Sequence, residues 1–158
     1  MTSRQDFTDE EWARIRRAPL VAGVAISLAD PGGPIEVAKE SVASLRSATL
    51  PPSQEELLAS VALDVQALAQ QRQNPLGDFK PRGGQQVLEE LRGVNELVTA
   101  KATPEEVEAF RRWLVATAQA AADAAKEGGF MGFGAELVSQ GEQRMLDELR
   151  TALGMPEG

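Results

Sequence analysis

Residues 20–28 read LVAGVAISL. Leu20, Val21, Val24, Ala25 and Leu28 leave hardly any polar side, and only Ser27 interrupts them. On a helix these side chains point in nearly every direction, which suits a segment enclosed by other helices. The stretch therefore predicts a short, central, buried helix over 19–29, preceded by another over 9–17. The composition points the same way. The chain of 158 residues holds 24 alanines, three isoleucines and no tyrosine, which favours helix over sheet. Its length suits one domain that can bury a core without a disulfide or metal staple.

Working outward, helix starts are marked by Ser or Thr with Glu three residues on: Thr8/Glu11, Ser53/Glu56, Thr103/Glu106 and Ser139/Glu142. In such a box the hydroxyl accepts from the third helical amide and the carboxylate accepts from the cap amide. Pro104 follows Thr103, a position where a missing N–H costs nothing. Further helices are expected over 34–49, 54–72, 84–101, 104–126 and 140–153. Their apolar stripes recur at three and four residues: Ile35, Ala38, Val42, Leu45; Leu57, Leu58, Val61, Val65, Leu68; Val87, Leu91, Val94, Val98; Val107, Phe110, Leu114, then Ala118, Ala121, Ala122, Ala125; and Met145, Leu149, Leu153. Pro51-Pro52, the link 74–84 and the glycine-rich 128–134 separate them. Residues 136–138 could make a short extended piece at most.

The chain also repeats itself. Thr8, Glu10, Glu11, Arg16 and Arg17 match Thr103, Glu105, Glu106, Arg111 and Arg112, and Gly32-Gly33 matches Gly128-Gly129. Each unit reads helix, helix, Gly-Gly turn, helix. The expected fold is an all-α single domain over 1–158, a bundle of about seven helices with a pseudo-twofold duplication. Its units are about 8–50 and 103–154, bridged by helices between 53 and 101.

What is missing excludes whole classes of chemistry. With no Cys and no His, neither a Ser-His-Asp nor a Cys-His mechanism can be built from this chain. A metal would be held by oxygen, so Ca²⁺, Mg²⁺ or Mn²⁺ rather than Zn²⁺. The net charge is −8 with 16 basic and 24 acidic residues, and no segment is basic. A nucleic-acid or anionic-membrane partner is not expected. No apolar run approaches a bilayer span. MTSRQDFTDEEW carries no apolar signal core, so a cytoplasmic location is expected.

Leu28-Ala29-Asp30-Pro31-Gly32-Gly33 followed by Glu36 and Glu40, and residues 121–129 followed by Glu142, Leu146, Glu148 and Leu149, form a small-residue helix, an acidic glycine turn and a helix with acidic residues, twice over. In this the chain resembles the TerB-like family linked to tellurite resistance, over about half its length. The resemblance implies an all-helical protein with acidic residues for a divalent metal. Carried over, these are Asp30 and Glu36 in the first turn and Glu127 and Glu142 in the second. Asp30 is followed by Pro rather than Gly, and Lys126-Glu127 stands where an Asp belongs.

Each candidate has a structural alternative. Asp30, Glu36, Glu40, Glu127, Glu136 and Glu142 could converge on a hard cation; as local features, Asp30, Glu36 and Glu142 serve caps and helix N-termini. In GGFMGFG, Phe130, Met131 and Phe133 are apolar for a loop. They either fold onto the core or form a surface for a protein partner or a second copy. Trp12 and Trp113 read as packing rather than stacking sites. Arg16-Arg17 and Arg111-Arg112 are expected to pair with Glu10/Glu11 and Glu105/Glu108, with an anionic ligand as the lesser alternative. Lys39, Lys80, Lys101, Lys126, Asp64 and Asp123 would be catalytic only if buried. The expected function is a non-catalytic helical interaction module with weak divalent-cation binding. The competing readings are a metal-dependent, carboxylate-based hydrolase and a purely structural assembly protein.

Overall fold

A computed structural model of the chain describes residues 2–29, 34–127 and 140–155. After a 3-10 turn at Arg4–Asp6, six α-helices follow: α1 (Asp9–Ala29), α2 (Pro34–Ala48), α3 (Glu56–Gln70), α4 (Gly84–Lys101), α5 (Pro104–Glu127) and α6 (Gln140–Ala152). There is no strand among the described residues.

The seven expected helices become six because residues 9–29 run as one helix with Pro19 inside it. Proline removes a backbone donor and usually kinks or breaks a helix. Here α1 is buried almost continuously from Ala18 to Ile26, and α2, α4 and α5 all pack on it, so surrounding contacts hold the axis through the lost bond. The all-round apolar reading of 20–28 is correct in substance: α1 is the central helix.

Two capping boxes form as read. Thr8 Oγ1 accepts from the Glu11 amide at 3.1 Å, and the Glu11 carboxylate accepts from the Thr8 amide at 2.9 Å. Thr103 and Glu106 make the same reciprocal pair at 3.2 Å each. The Ser53/Glu56 box does not form. Glu56 is the first residue of α3, Glu55 occupies the cap position without a side-chain bond, and Ser53 Oγ is buried with no partner. Ser139 lies outside the described residues.

Pairings along α1 set the topology. Gly23 lies against Ser44 and Ser27 bonds Glu40, so α1 and α2 are antiparallel. Lys101 pairs with Glu11 at 3.5 Å and Arg14 with Glu90 at 2.9 Å, so α4 also runs against α1. The start of α5 sits beside the start of α1. Thr2 donates its amide to Glu106 Oε2 at 3.1 Å and its hydroxyl to Oε1 at 2.9 Å. Lys101 reaches the Asp6 carbonyl and sits 5.2 Å from the centre of the Phe7 ring.

Glu106 is 2% exposed. Burial pushes its carboxyl up, but the amides of Thr103 and Thr2 and the Thr2 hydroxyl outweigh this and hold it below its ordinary value. A lowered carboxyl contributes stability that is present above the unfolded-state value and lost as pH falls through the folded-state value. Melting followed across pH should show an acid limb that becomes shallower in Glu106→Gln. An unchanged limb would remove Glu106 from that role.

The stripes of α3, α4, α5 and α6 face the core: Leu57, Leu58, Val61 and Val65; Val87, Leu91, Val94 and Val98; Val107, Phe110 and Leu114; Met145, Leu149 and Leu153 are all buried, while Leu68 near the end of α3 is only half-buried. The stripe of α2 does so only at Leu45, which packs half-buried against the core, while the side chain of Ile35 lies outside the described residues. Ala38 is exposed and Val42 is 68% exposed, while Glu40, Ser44 and Ala48 on the opposite side are buried. The cause lies in α1. A Cβ built on Gly23 would stand 2.7 Å from Ser44 Cβ, so the helices approach too closely for branched side chains, and α2 presents its small face instead. Val42→Ser should therefore change stability by no more than about 0.5 kcal/mol. A loss of several kcal/mol in a chemical melt would contradict this orientation.

α3 ends two residues before the expected position. The Gln73 amide bonds the Leu68 carbonyl at 2.9 Å and the Arg72 amide that of Ala69 at 3.0 Å, the crossed pattern of a left-handed helix terminus. Arg72 sits there at φ 58°, where a side chain is strained and glycine is not. Arg72→Gly should raise stability by about 0.5–1 kcal/mol; an unchanged or lowered melting temperature would count against this strain.

Candidate functional site

A cavity of about 240 Å³ opens between the second half of α1, the middle of α2 and the α3–α4 link. Sequence places each wall. The Gly23–Ser44 contact brings α1 and α2 together, and beside it Leu20 and Val24 of α1 and Leu45 of α2 are left partly uncovered. The roof is the link. Asn74 Oδ1 accepts from the Leu76 amide at 3.0 Å and the Asn74 carbonyl from the Gly77 amide at 3.0 Å. This side-chain and backbone turn holds Pro75 and Leu76 over the opening. Further along, the Arg17 guanidinium lies 5.2 Å from the centre of the Phe79 ring and ties the link to α1.

The polar atoms of the wall are Ser27, Ser41, Ser44 and Asn74. The Ser27 hydroxyl donates to Glu40 Oε2, and the Ser44 hydroxyl donates to the Glu40 carbonyl at 2.8 Å. Both protons are committed to the protein, so these oxygens can only accept from an incoming group. Asn74 has used its oxygen on Leu76 and keeps its amide hydrogens. Glu40 is 1% exposed and stands behind Ser27 rather than on the wall. Among the described residues no Asp, Glu, Lys or Arg lines the cavity. It can hold a mainly apolar body with a hydrogen-bond donor, and its wall offers no titratable group to move a proton.

The residues singled out from sequence fall elsewhere. Asp30, Phe130, Met131, Phe133 and Glu136 lie outside the described residues, as do the side chains of Glu36, Lys126 and Glu127. Glu142 is buried in the first turn of α6. Among the described residues no three acidic side chains come together as a metal site requires. Asp123 is exposed and accepts from Gln119 at 3.0 Å. Asp64 accepts from the Trp12 indole at 2.7 Å, and Trp113 donates to the Ser47 carbonyl at 2.8 Å. Both indoles are core packing, as expected. Lys39, Lys80 and Lys101 are exposed, which removes them as desolvated amines.

The expected arginine pairings are partly replaced. Arg17 pairs with Glu90 on α4 at 3.2 Å rather than with Glu10 or Glu11. Arg111 bonds Asn95 at 2.8 Å. Arg112 keeps its Glu108 partner at 3.3 Å. The sequence signal for the cavity was slight: Ser27 as the lone break in an apolar run, and Gly23 within it. No described helix is long and apolar enough to cross a membrane. Comparison with family models, curated proteins and solved structures finds no match to this chain.

Proposed function

We propose that this chain is a non-catalytic helical binding module whose α1–α2 cavity takes a small, mainly apolar ligand carrying a hydrogen-bond donor. One observation carries the reading. Among the described residues the cavity wall is apolar except for Ser27, Ser41, Ser44 and Asn74, the hydroxyl protons of Ser27 and Ser44 are already spent on Glu40, and no acid or base lines it. A concave apolar site with a few fixed polar atoms is the usual form of a ligand pocket, and an enzyme of general acid–base type needs a titratable group within reach.

The internal duplication belongs to the same proposal. Its support is that α1 and α5 both begin with a formed Thr-x-x-Glu box and lie side by side.

The test uses 4-ethylphenol and its methyl ether as probes, followed by side-chain methyl and backbone NMR shifts of the full chain. Saturable shifts centred on Val24, Leu45 and Leu76, weaker for the ether and abolished by Val24→Trp with the fold intact, support the reading. Absence of saturable shifts with either probe, or equal shifts with both, counts against it.

A further inference from the structure

Where α4 ends, α5 begins and α6 ends, a second concavity of about 570 Å³ lies apart from the first. Its wall is apolar at Ala102, Pro104, Val107 and Met155 and cationic at Arg111 and Arg112. The two arginines differ in what they have left to offer. Arg112 holds Glu108 one turn away in a well-exposed pair. Arg111 forms no ion pair among the described residues. Its Nε donates to Asn95 Oδ1 at 2.8 Å, which fixes the plane of the guanidinium. The remaining N–H donors stay available. The Nη2 end points toward Gly154 at the close of α6.

That helix end does not use up the charge. The Met155 amide bonds the Arg150 carbonyl at 2.9 Å and the Gly154 amide that of Thr151 at 3.0 Å, so the chain itself satisfies these two terminal carbonyls. A helix C-terminus carries only about half a negative charge, against a full positive one on Arg111. Among the described residues the lining thus carries a net positive charge, two arginines against Glu108, in a chain of net −8. Distant acidic residues are largely screened beyond about 10 Å at ordinary salt.

We propose that this concavity binds a small amphiphilic carboxylate. Arg111 takes the carboxylate through its planar fork, a geometry that guanidinium matches and ammonium does not. The apolar body lies on Pro104, Val107 and Met155. A free acid suits the wall better than a peptide end, because a peptide's amides would need acceptors that these three side chains do not have. The site is independent of the reading of the α1–α2 cavity.

The test is a titration of the full chain at neutral pH with sodium octanoate, read by backbone amide shifts, with 1-octanol and inorganic phosphate as comparison probes. Expected are saturable shifts at Thr99, Val107 and Gly154 with octanoate, weakened by added salt. Octanol, apolar without charge, and phosphate, charged without an apolar body, should each bind at least about tenfold more weakly, the size of one charge-assisted contact. Arg111→Gln should lose about tenfold and Arg111→Lys should restore little, because the fork is missing. Arg112→Gln should stay within about threefold, its charge being mostly screened. If Arg111→Gln does not fold, Asn95→Ala replaces it: it keeps the charge, frees the guanidinium plane and should weaken octanoate severalfold. Octanol binding as well as octanoate, or octanoate binding unchanged in the Arg111 or Asn95 variant, overturns the proposal. So do shifts confined to Val24, Leu45 and Leu76, which would leave the first cavity's reading standing.

Discussion

Replacing Trp113 with alanine lowers the free energy of unfolding by about 3–5 kcal/mol, a large part of the 5–15 kcal/mol of a typical domain. The indole is fully buried on α5 and packs edge-on against Phe110 with ring centres 6.3 Å apart. Its N–H reaches the Ser47 carbonyl near the end of α2, so it joins the two helices that flank α1. Truncation empties a large volume that helices on several sides cannot all collapse to fill. Trp113→Phe should cost clearly less. It keeps most of the apolar contact, and the Ser47 carbonyl still accepts from the Leu50 amide at 3.1 Å, so no buried acceptor is orphaned. Denaturant unfolding of both variants decides this. Equal losses would mean the hydrogen bond, not the volume, dominates; a loss below about 1 kcal/mol for alanine would place Trp113 outside the core.

Gly23→Ala should destabilise by about 1–3 kcal/mol, although alanine is the better helix former by about 1 kcal/mol. The added methyl would lie 2.7 Å from Ser44 Cβ. That is the rigid base of the side chain, not a movable tip, so α1 and α2 must separate. The decisive measurement is a double-mutant cycle. Ser44→Gly removes the obstructing group, and Gly23→Ala made in that background should cost much less than in the parent, a coupling of at least about 0.5 kcal/mol. Additive effects would mean that the two helices do not meet at these residues. The same substitution bears on the α1–α2 cavity, since this contact sets the spacing of its walls; the ethylphenol shifts should weaken in Gly23→Ala and recover in the double variant.

Most helix boundaries were legible because their signals are local. Thr8/Glu11, Thr103/Glu106 and Pro104 each report on a helix start through atoms within one turn. Where a signal stayed local but the outcome did not, the reading failed. Pro19 reads as a break, and only the packing around α1 carries the helix through it. Ser53/Glu56 matches a box, yet α3 starts at Glu56 itself and leaves no turn for the carboxylate to close. Arg72 carries no sequence mark of a helix terminus, because glycine, the usual occupant, is absent from that position.

The chain's own residues determined that it is all-helical, that 20–28 lies at the centre, and that no histidine or cysteine chemistry is available, because periodicity and composition are properties of a segment alone. Which side of α2 faces inward was settled only in three dimensions. In sequence the stripe of Ile35, Ala38, Val42 and Leu45 is the more apolar face, but Ala38 and Val42 are exposed and Gly23 on a different helix meets the face of Glu40, Ser44 and Ala48. Hydrophobicity ranks faces one helix at a time, whereas close packing depends on the shape of the partner, and that choice also leaves Leu45 beside the hydroxyls of Ser27 and Ser44 in the cavity wall.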